Sequence, residues 1–331
     1  MGSRAPAHLA YPRPGSQHVG MDATATPAPT RAHEPHPRKR QLPFPYDQDL
    51  SQVLRHLNRR TAAGRRRLAN DPHTAAYLAA GMRLVEQHLG PGAARAATVR
   101  GRHRVERAVL GFLSQRAVAA EVANNPGVFP RRGVVSTLRT QWRTQSDYVA
   151  DLINFAMWPV NYRPGYVEQR AVNTERLVGG DDFVRTVHET AYRHTAEGAR
   201  TPSVRLSLAL MAVADGDDTV QRALADTYRG YLSSWKELYA DVIEARNLRL
   251  RPGLTLDDLA NALSAATDGI ILRSIGDPGS GVLDHDRCRS LMGTVSLALI
   301  NGFLEPADAT DGRTLEQAVQ ARMGTRPDGA G

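Results

Sequence analysis

Hydrophobic residues recur at intervals of three and four along most of the chain, which is the spacing of one face of an α-helix. The clearest stripe lies within residues 217–246 and runs through Leu224, Tyr228, Leu232, Trp235, Tyr239 and Val242. The alternation of β-branched and polar residues that marks a half-buried strand is missing beyond Tyr46. The pattern predicts an all-α fold with helices at 47–69, 74–89, 103–123, 131–142, 145–157, 165–177, 181–197, 202–214, 217–246, 255–274 and 284–303.

The last two predicted helices are strongly apolar on one side. Residues 255–274 carry one stripe and open with Thr255 and Asp258, a start signal like a capping box. In 284–303 small residues accompany the apolar repeat, so another helix could approach closely there. The segment Asp284–Cys288, DHDRC, reads as the start of this helix, with carboxylates at the positive end of the helix dipole.

Charge is unevenly distributed over the 331 residues, which have a net charge of +8. Residues 1–150 hold 23 Lys and Arg against 9 Asp and Glu, whereas residues 151–331 hold 19 against 25. A basic front half and an acidic back half indicate that only the front meets a polyanion. A solvated basic tail is the alternative, but much of the excess follows Leu50, in patterned sequence.

The chain lacks the marks of a secreted or membrane protein. Cys288 is its only cysteine, so no disulfide can form within the chain, and a reducing compartment fits best. No apolar run approaches the roughly 20 residues of a membrane span. Residues 1–19 lack the apolar core of a signal peptide. We expect a cytoplasmic protein with no membrane partner.

The stretch Arg131–Trp142, RRGVVSTLRTQW, combines an apolar and a polar face at helical spacing. Val134, Leu138 and Trp142 share the first, which would hold the helix on its own domain. A turn at 124–127 and another predicted helix precede it, so the arrangement is that of a helix-turn-helix. Two ordinary surface helices are the alternative. The arginines and short hydroxyls suit phosphates and base edges, and we predict DNA contacts from Arg131, Arg132, Ser136, Thr137, Arg139, Thr140 and Arg143.

The stretch Ser136–Leu152, STLRTQWRTQSDYVADL, resembles the end of the DNA-binding domain in TetR-family repressors. There the recognition helix runs into a Leu-Tyr pair, an aromatic residue, a short polar link and the first apolar helix of the ligand domain. Leu138 and Trp142 match the leucine and the aromatic residue. Arg139 stands where the family has a phosphate-contacting tyrosine, a role that arginine can also fill. The resemblance implies that Trp142 is a buried anchor between the two helices.

The resemblance continues beyond residue 200 and implies a dimer and an effector. The family's last two long helices form a dimeric four-helix bundle, which here would be 255–274 and 284–303. We therefore expect a homodimer interface at Leu259, Leu263, Ile270, Leu291, Val295 and Leu299. A pocket for an unknown small molecule would be lined by aromatic residues, although core packing is the alternative for most of them: Phe155, Trp158, Tyr192, Tyr228, Trp235 and Tyr239.

Several features depart from the family pattern. Gly133-Val134 sits one residue closer to Trp142 than usual, the turn at 124–130 is longer, and 90–110 looks like an insertion. The predicted helix at 47–69 has no counterpart that we can assign. The predicted organisation is a disordered tail at 1–45, a DNA-binding domain at 46–145, a helical effector-binding and dimerisation domain at 146–310, and a flexible tail at 311–331.

The sequence offers no convincing metal, cofactor or catalytic site. His188 and His194 are six residues apart, which points their rings in different directions on a helix. No triad spacing or phosphate-binding loop stands out. The favoured function is a TetR-like regulator that binds double-stranded DNA as a dimer and is released by an effector. A helical interaction or scaffold protein that has lost DNA binding is the first alternative, and a helical enzyme is the second.

Overall fold

The computed structural model describes residues 42–91, 110–158 and 164–324, which are predominantly helical. The prediction of an all-α fold is confirmed. The predicted tail at 1–45 lies outside the described residues except for its last four. The helices are α1 Ala62–Ala69, α2 Pro72–Leu89, α3 Gln115–Asn124, α4 Val135–Gln141, α5 Gln145–Ala156, α6 Pro164–Gly179, α7 Phe183–Arg200, α8 Pro202–Val213, α9 Asp218–Ala245, α10 Leu256–Gly276, α11 Leu291–Phe303 and α12 Leu315–Gly324.

Local signals set most of these boundaries. Asp71 caps α2 by accepting a hydrogen bond from the His73 amide, and Pro72 follows as the first helical residue. The predicted capping box of Thr255 and Asp258 is present at the start of α10. Helices α2 and α5 to α10 lie within a few residues of the predicted ranges. Helix α12 lies in the segment that was predicted to be a flexible tail.

Two small antiparallel sheets interrupt the helical pattern. Strand β1, Leu248–Leu250, pairs with β4, Leu304–Pro306, and strand β2, Leu283–Asp284, pairs with β3, Arg289–Ser290. Each strand has only two or three residues, which is too short for an alternating pattern to appear in the sequence. Strand β1 follows α9, the hairpin of β2 and β3 lies between α10 and α11, and β4 follows α11.

The hairpin β2–β3 corrects the predicted helix at 284–303. Helix α11 begins only after Ser290, whose side chain caps it by accepting from the Met292 amide. The predicted helix start at DHDRC is wrong, because Asp284 instead accepts from the Arg287 amide within the hairpin turn. Cys288 adopts a left-handed conformation with φ of 50° at that turn, which is incompatible with a helix.

The predicted helix at 47–69 is also wrong over most of its length. Residues Leu50–Gln52 form a single 3₁₀ turn, and α1 begins after Thr61. The apolar residues between 50 and 57 have helical spacing and are buried, but the backbone there is not helical. The reason is tertiary, because the amides of Arg55 and His56 donate to the carboxylate of Asp151 instead of to carbonyls one turn earlier.

The helix predicted at 131–142 is confined to Val135–Gln141, and Val134 is its extended N-cap residue. Val134 is 45% exposed and does not share the apolar face with Leu138 and Trp142, both of which are fully buried. Farther upstream, α3 begins at Gln115 because Ser114 caps it. The first residues of the predicted helix at 103–123, up to 109, lie outside the described residues.

The apolar core has one large cluster and two smaller ones. The large cluster contains residues of the 50–57 segment, of α2, α3, α4, α5 and α8, and of the beginning of α9. The smaller clusters lie among α6, α7, α9, α10, α11 and β4. In the part of the chain that the structure describes, no helix has the length and hydrophobicity needed to cross a membrane.

Candidate DNA-binding surface and ligand cavity

Helix α4 presents a polar, positively charged surface. Arg139 and Thr140 on the helix and Arg143 just after it are exposed, and Leu138 faces the core on the opposite side. Of the predicted DNA contacts, only Thr137 is half-buried; Arg131, Arg132 and Ser136 are exposed as well. Arg131 and Arg132 precede α4 outside any helix or strand, so they reach this surface from the loop and not from the helix.

The start of α4 is held by α2. The hydroxyl of Tyr77 accepts a hydrogen bond from the Val134 amide at 3.2 Å and lies 2.9 Å from the Val134 carbonyl oxygen. Gly133 packs against α3 so closely that a Cβ atom there would lie only 2.6 Å from the Ala123 nitrogen. These contacts compensate for the long turn after α3, because they attach the last residues of that turn to the two preceding helices.

The end of α4 is anchored by Trp142 and Asp151. The Trp142 ring is fully buried and lies edge-on to Tyr148, with 5.1 Å between ring centroids. Its indole nitrogen donates to Asp151 at 2.9 Å. Burial raises the pKa of Asp151 to about 7, while the donors from Trp142, Arg55 and His56 act in the opposite direction. The expectation that Trp142 is a buried anchor is in accord with this placement.

The segment 55–59 connects this anchor to the end of α4 and to α9. The Asn58 amide donates to the Gln141 carbonyl at 2.7 Å, and the Arg59 guanidinium donates to the Thr140 carbonyl at 3.4 Å. Arg55 forms an ion pair with Asp226 on α9, with 3.0 Å between the charged atoms. One short stretch of chain therefore contacts both the candidate recognition helix and the longest helix of the C-terminal region.

Two adjoining chambers that share several lining residues form a cavity, which the C-terminal helices line together with parts of α2 and α5. The smaller chamber has a volume of about 110 Å³ and a mainly apolar lining that includes Phe183, Val187, Leu232, Leu259 and Leu263. The larger chamber has a volume of about 850 Å³ and a more polar lining, whose charged members are Glu86, Arg193, Glu197, Arg200 and Asp268. Together they provide an apolar end and a polar end for one ligand.

Polar and aromatic side chains lie where the two chambers meet. His194, Tyr231 and Trp235 line both chambers. The Tyr231 hydroxyl lies 2.8 Å from Nε2 of His194, and the His194 ring is edge-on to Trp235. Thr190 also lines both chambers, and its buried hydroxyl has no hydrogen-bond partner among the described residues. This hydroxyl can therefore bond to a ligand.

The larger chamber contains a half-buried acid, Asp268. Tyr228 on α9 donates its hydroxyl proton to Asp268 on α10, with 2.5 Å between the oxygens. Burial raises the pKa of Asp268 above the usual value for an aspartate, and it also raises the pKa of Tyr228. The pair links two helices that line the chamber, so a ligand that displaces either side chain would alter the contact between α9 and α10.

The aromatic residues predicted to line a pocket divide into two groups. Tyr228, Trp235 and Tyr239 line the cavity. Phe155 and Trp158 belong to the large apolar cluster or pack against it, and the hydroxyl of Tyr192 lies 3.1 Å from His285. Sequence reasoning missed Tyr231, which continues the spacing of 228, 235 and 239, and it missed His194, Thr190 and Asp268, for which the sequence carried no signal.

The predicted interface residues are also divided. Leu259, Leu263 and Ile270 on α10 are buried in one of the smaller apolar clusters, where they face the core of their own chain. Their burial follows from the packing of α10 against α9, α7 and α11. Leu291 is exposed, and Val295 and Leu299 are half-buried on α11. The exposed apolar and small residues of α10 are instead Ala265, Gly269 and Leu272.

The two histidines considered for metal binding lie in different environments. His188 on α7 packs against Gly293 of α11, while His194 lies in the cavity. Within 42–91, 110–158 and 164–324, no group of three or more His, Cys, Asp and Glu side chains is placed to hold a metal ion.

The comparison with protein families gives a match in this C-terminal region. Residues 191–301 match the model of the C-terminal domain of BetI-type transcriptional repressors, and these residues cover about a third of the chain. The matched segment runs from within α7 to within α11 and includes most of the helices that line the cavity. No curated protein and no solved structure matches the chain. The C-terminal part of this protein is therefore similar to the C-terminal domain of BetI-type transcriptional repressors.

Proposed function

We propose that the protein is a dimeric transcriptional repressor that binds operator DNA through α4 and is released by a small molecule in the two-chambered cavity. The match to BetI-type repressors supports the regulatory role. The observation that carries the DNA-binding part is the exposed polar face of α4, whose opposite side is anchored by the buried Leu138 and Trp142. Arg139 supplies a phosphate contact, and Ser136 and Thr140 are placed to reach base edges.

The proposed release mechanism uses the segment 55–59. Helix α9 lines the cavity through Tyr231 and Trp235, and Asp226 on the same helix holds Arg55. A ligand that moves α9 would pull on this segment and, through Asn58 and Arg59, on the end of α4. The effector would thereby favour a dimer geometry in which the two recognition helices no longer match successive major grooves.

DNA binding is tested with Arg139→Ala, using the DNA that flanks the gene and a random duplex. The matched control is Arg313→Ala, another exposed arginine, in the C-terminal segment. Loss of one sequence-independent phosphate contact should weaken binding to both DNAs by similar factors. It should also reduce the salt slope, which is the slope of log affinity against log salt concentration, by about one. If Arg139→Ala binds both DNAs with the affinity of the wild type while its fold is intact, α4 is not the recognition helix. A wild-type protein that binds neither DNA would support the alternative of an interaction protein.

Dimerisation is proposed to use the exposed face of α10 and α11. Leu272 on α10 and Leu291 on α11 are 50% and 48% exposed, and Ala265, Gly269 and Ala298 leave room for a close approach of helices. We expect Leu272→Glu to convert the dimer to a monomer in sedimentation equilibrium. Val319→Glu is the control, because Val319 on α12 is also 50% exposed. A wild-type protein that is monomeric at micromolar concentration contradicts this part of the proposal.

A further inference from the structure

We infer that residues 58–67 form a second DNA-binding surface that contacts the phosphate backbone beside α4. The inference rests on the proposed function and extends it to a segment that the resemblance did not cover. We call this segment the arginine strip, because five of its ten residues are arginines: Arg59, Arg60, Arg65, Arg66 and Arg67.

The arginine strip adjoins the candidate recognition helix directly. Asn58, at its start, donates its amide to the last carbonyl of α4, that of Gln141, and the guanidinium of Arg59 reaches the carbonyl of Thr140. These bonds place the strip at the same end of α4 as Arg139. A helix in the major groove is flanked by the sugar-phosphate backbone, so a basic segment attached to its end is in reach of phosphates.

The charges of the strip have few acidic partners. Residues 50–70 contain six arginines and no acidic residue, and the adjoining stretch 122–146 contains four arginines and no acidic residue. Arg66 is paired with Asp49. Among the described residues, no ion pair engages Arg59, Arg60, Arg65 or Arg67. Like charges collected on one surface repel each other, and a polyanion relieves that repulsion.

The strip has an ordered backbone that can present these charges. Thr61 caps α1 by accepting from the Gly64 amide, and the guanidinium of Arg65 donates to the carbonyls of Arg59 and Arg60 at 3.4 and 3.1 Å. Arg65 is therefore used to hold the loop. Arg60 and Arg67 are exposed and make no such internal bond in the described structure, so their guanidinium groups are the ones available to phosphates.

The composition of the strip favours duplex DNA over other polyanions. It contains no aromatic side chain on which the bases of a single strand could stack. Its only apolar side chains are those of Ala62 and Ala63, which give no hydrophobic face for a lipid surface. Arginine forms paired hydrogen bonds to phosphate oxygens, which suits a backbone contact that is independent of sequence.

The test compares full-length Arg60→Ala/Arg67→Ala with the wild type by fluorescence anisotropy, using a random-sequence duplex at several salt concentrations. Loss of two phosphate contacts should lower the salt slope by about two. Arg66→Ala should have a smaller effect, because Asp49 already neutralises that charge. Arg313→Ala/Arg322→Ala removes the same charge from the C-terminal segment and should leave the slope unchanged. Circular dichroism verifies that each variant is folded.

The outcomes separate this inference from the proposed function. Suppose that the wild type binds the duplex, and that the salt slope of Arg60→Ala/Arg67→Ala differs from the wild-type slope no more than that of Arg313→Ala/Arg322→Ala does. The strip then does not contact DNA, although α4 still can. If the double variant loses affinity for anionic phospholipid vesicles but not for duplex, the strip contacts membranes and the inference is wrong. A wild type that fails to bind duplex overturns the proposed DNA binding and this inference together.

Discussion

Two sites in the molecule, the Asp151 anchor in the N-terminal half and the cavity in the C-terminal half, use buried polar groups in opposite ways. In the N-terminal half, the carboxylate of Asp151 lies in the large apolar cluster and receives hydrogen bonds from the Trp142 indole and from the amides of Arg55 and His56. In the C-terminal half, the buried hydroxyls of Thr190 and Ser207 have no partner among the described residues, and both line the cavity. A satisfied network stabilises a single arrangement, whereas unsatisfied groups beside a cavity are available to a ligand.

The packing of aromatic side chains also differs between the Asp151 anchor and the cavity. Four large aromatic side chains are fully buried in the apolar cluster that also holds Leu138 of α4: Tyr77, Trp142, Tyr148 and Phe155. The aromatic side chains of α9 line a cavity instead. This difference supports the proposal of a closely packed DNA-binding surface joined to a region whose packing a ligand can change.

The comparison predicts its largest effect at Trp142. Trp142→Ala should lower the free energy of unfolding by roughly 3–5 kcal/mol, because it creates a cavity in a close-packed cluster and deprives Asp151 of a donor. The measurement is urea denaturation followed by circular dichroism. Trp158→Ala is the control, since Trp158 is only half-buried at the edge of the same cluster. Equal losses for the two variants would contradict the anchoring role of Trp142.

A second prediction concerns the pH dependence of stability. Because burial raises the pKa of Asp151 to about 7 from 3.8, the folded state holds this proton more tightly than the unfolded state. Its stabilising contribution is complete below pH 4 and is lost as the pH rises through about 7. Between pH 5 and pH 8 the wild type should therefore lose roughly 2–3 kcal/mol more than Asp151→Asn.

Denaturation of both proteins at the two pH values measures this difference directly. The comparison uses the change with pH and not the absolute stability, because asparagine cannot accept all the hydrogen bonds that a carboxylate accepts. An equal pH dependence of the two proteins would show that Asp151 is ionised in the folded state throughout this range.

Two glycines probe the difference in packing. A Cβ atom at Gly81 on α2 would overlap the Tyr148 hydroxyl and lie 2.9 Å from Leu152, so Gly81→Ala should cost about 1–3 kcal/mol. At Gly230 on α9 no described atom lies within 4 Å of that position, so Gly230→Ala should stabilise the helix by up to about 1 kcal/mol. Thermal melts of the two variants give the comparison, and a shift of the same sign in both would contradict it.

The smallest predicted effect separates two threonines of α7. Thr190→Val removes a buried hydroxyl without a described partner, so stability should stay constant or rise by up to about 1 kcal/mol. Thr195→Val should instead cost about 1 kcal/mol, because the Thr195 hydroxyl donates to the Ala191 carbonyl at 2.7 Å and lies 3.0 Å from the Ser290 hydroxyl. A loss at Thr190 equal to that at Thr195 would mean that its hydroxyl is bonded in the folded protein.

Periodicity was sufficient where one helix buries one face. It predicted α9 and α10 closely, and it placed Leu138 and Trp142 in the core with Arg139 exposed. It did not distinguish which apolar stripe of α10 meets its own chain, because Leu263 and Leu272 are equally hydrophobic in the sequence. Only the positions of α7, α9 and α11 bury the first and leave the second exposed.

The sequence by itself determined the all-α class, most helix boundaries from α5 to α10, and the polar face of α4, because these depend on interactions within one turn or one helix face. The tertiary structure decided the rest. Residues 50–57 have helical spacing, yet they are held in another conformation by Asp151, which is 96 residues after Arg55. The smaller chamber of the cavity joins side chains of five separate helices, α6, α7, α9, α10 and α11. Neither the competing hydrogen bond nor the shared space exists until distant segments meet, so no local pattern could have predicted them.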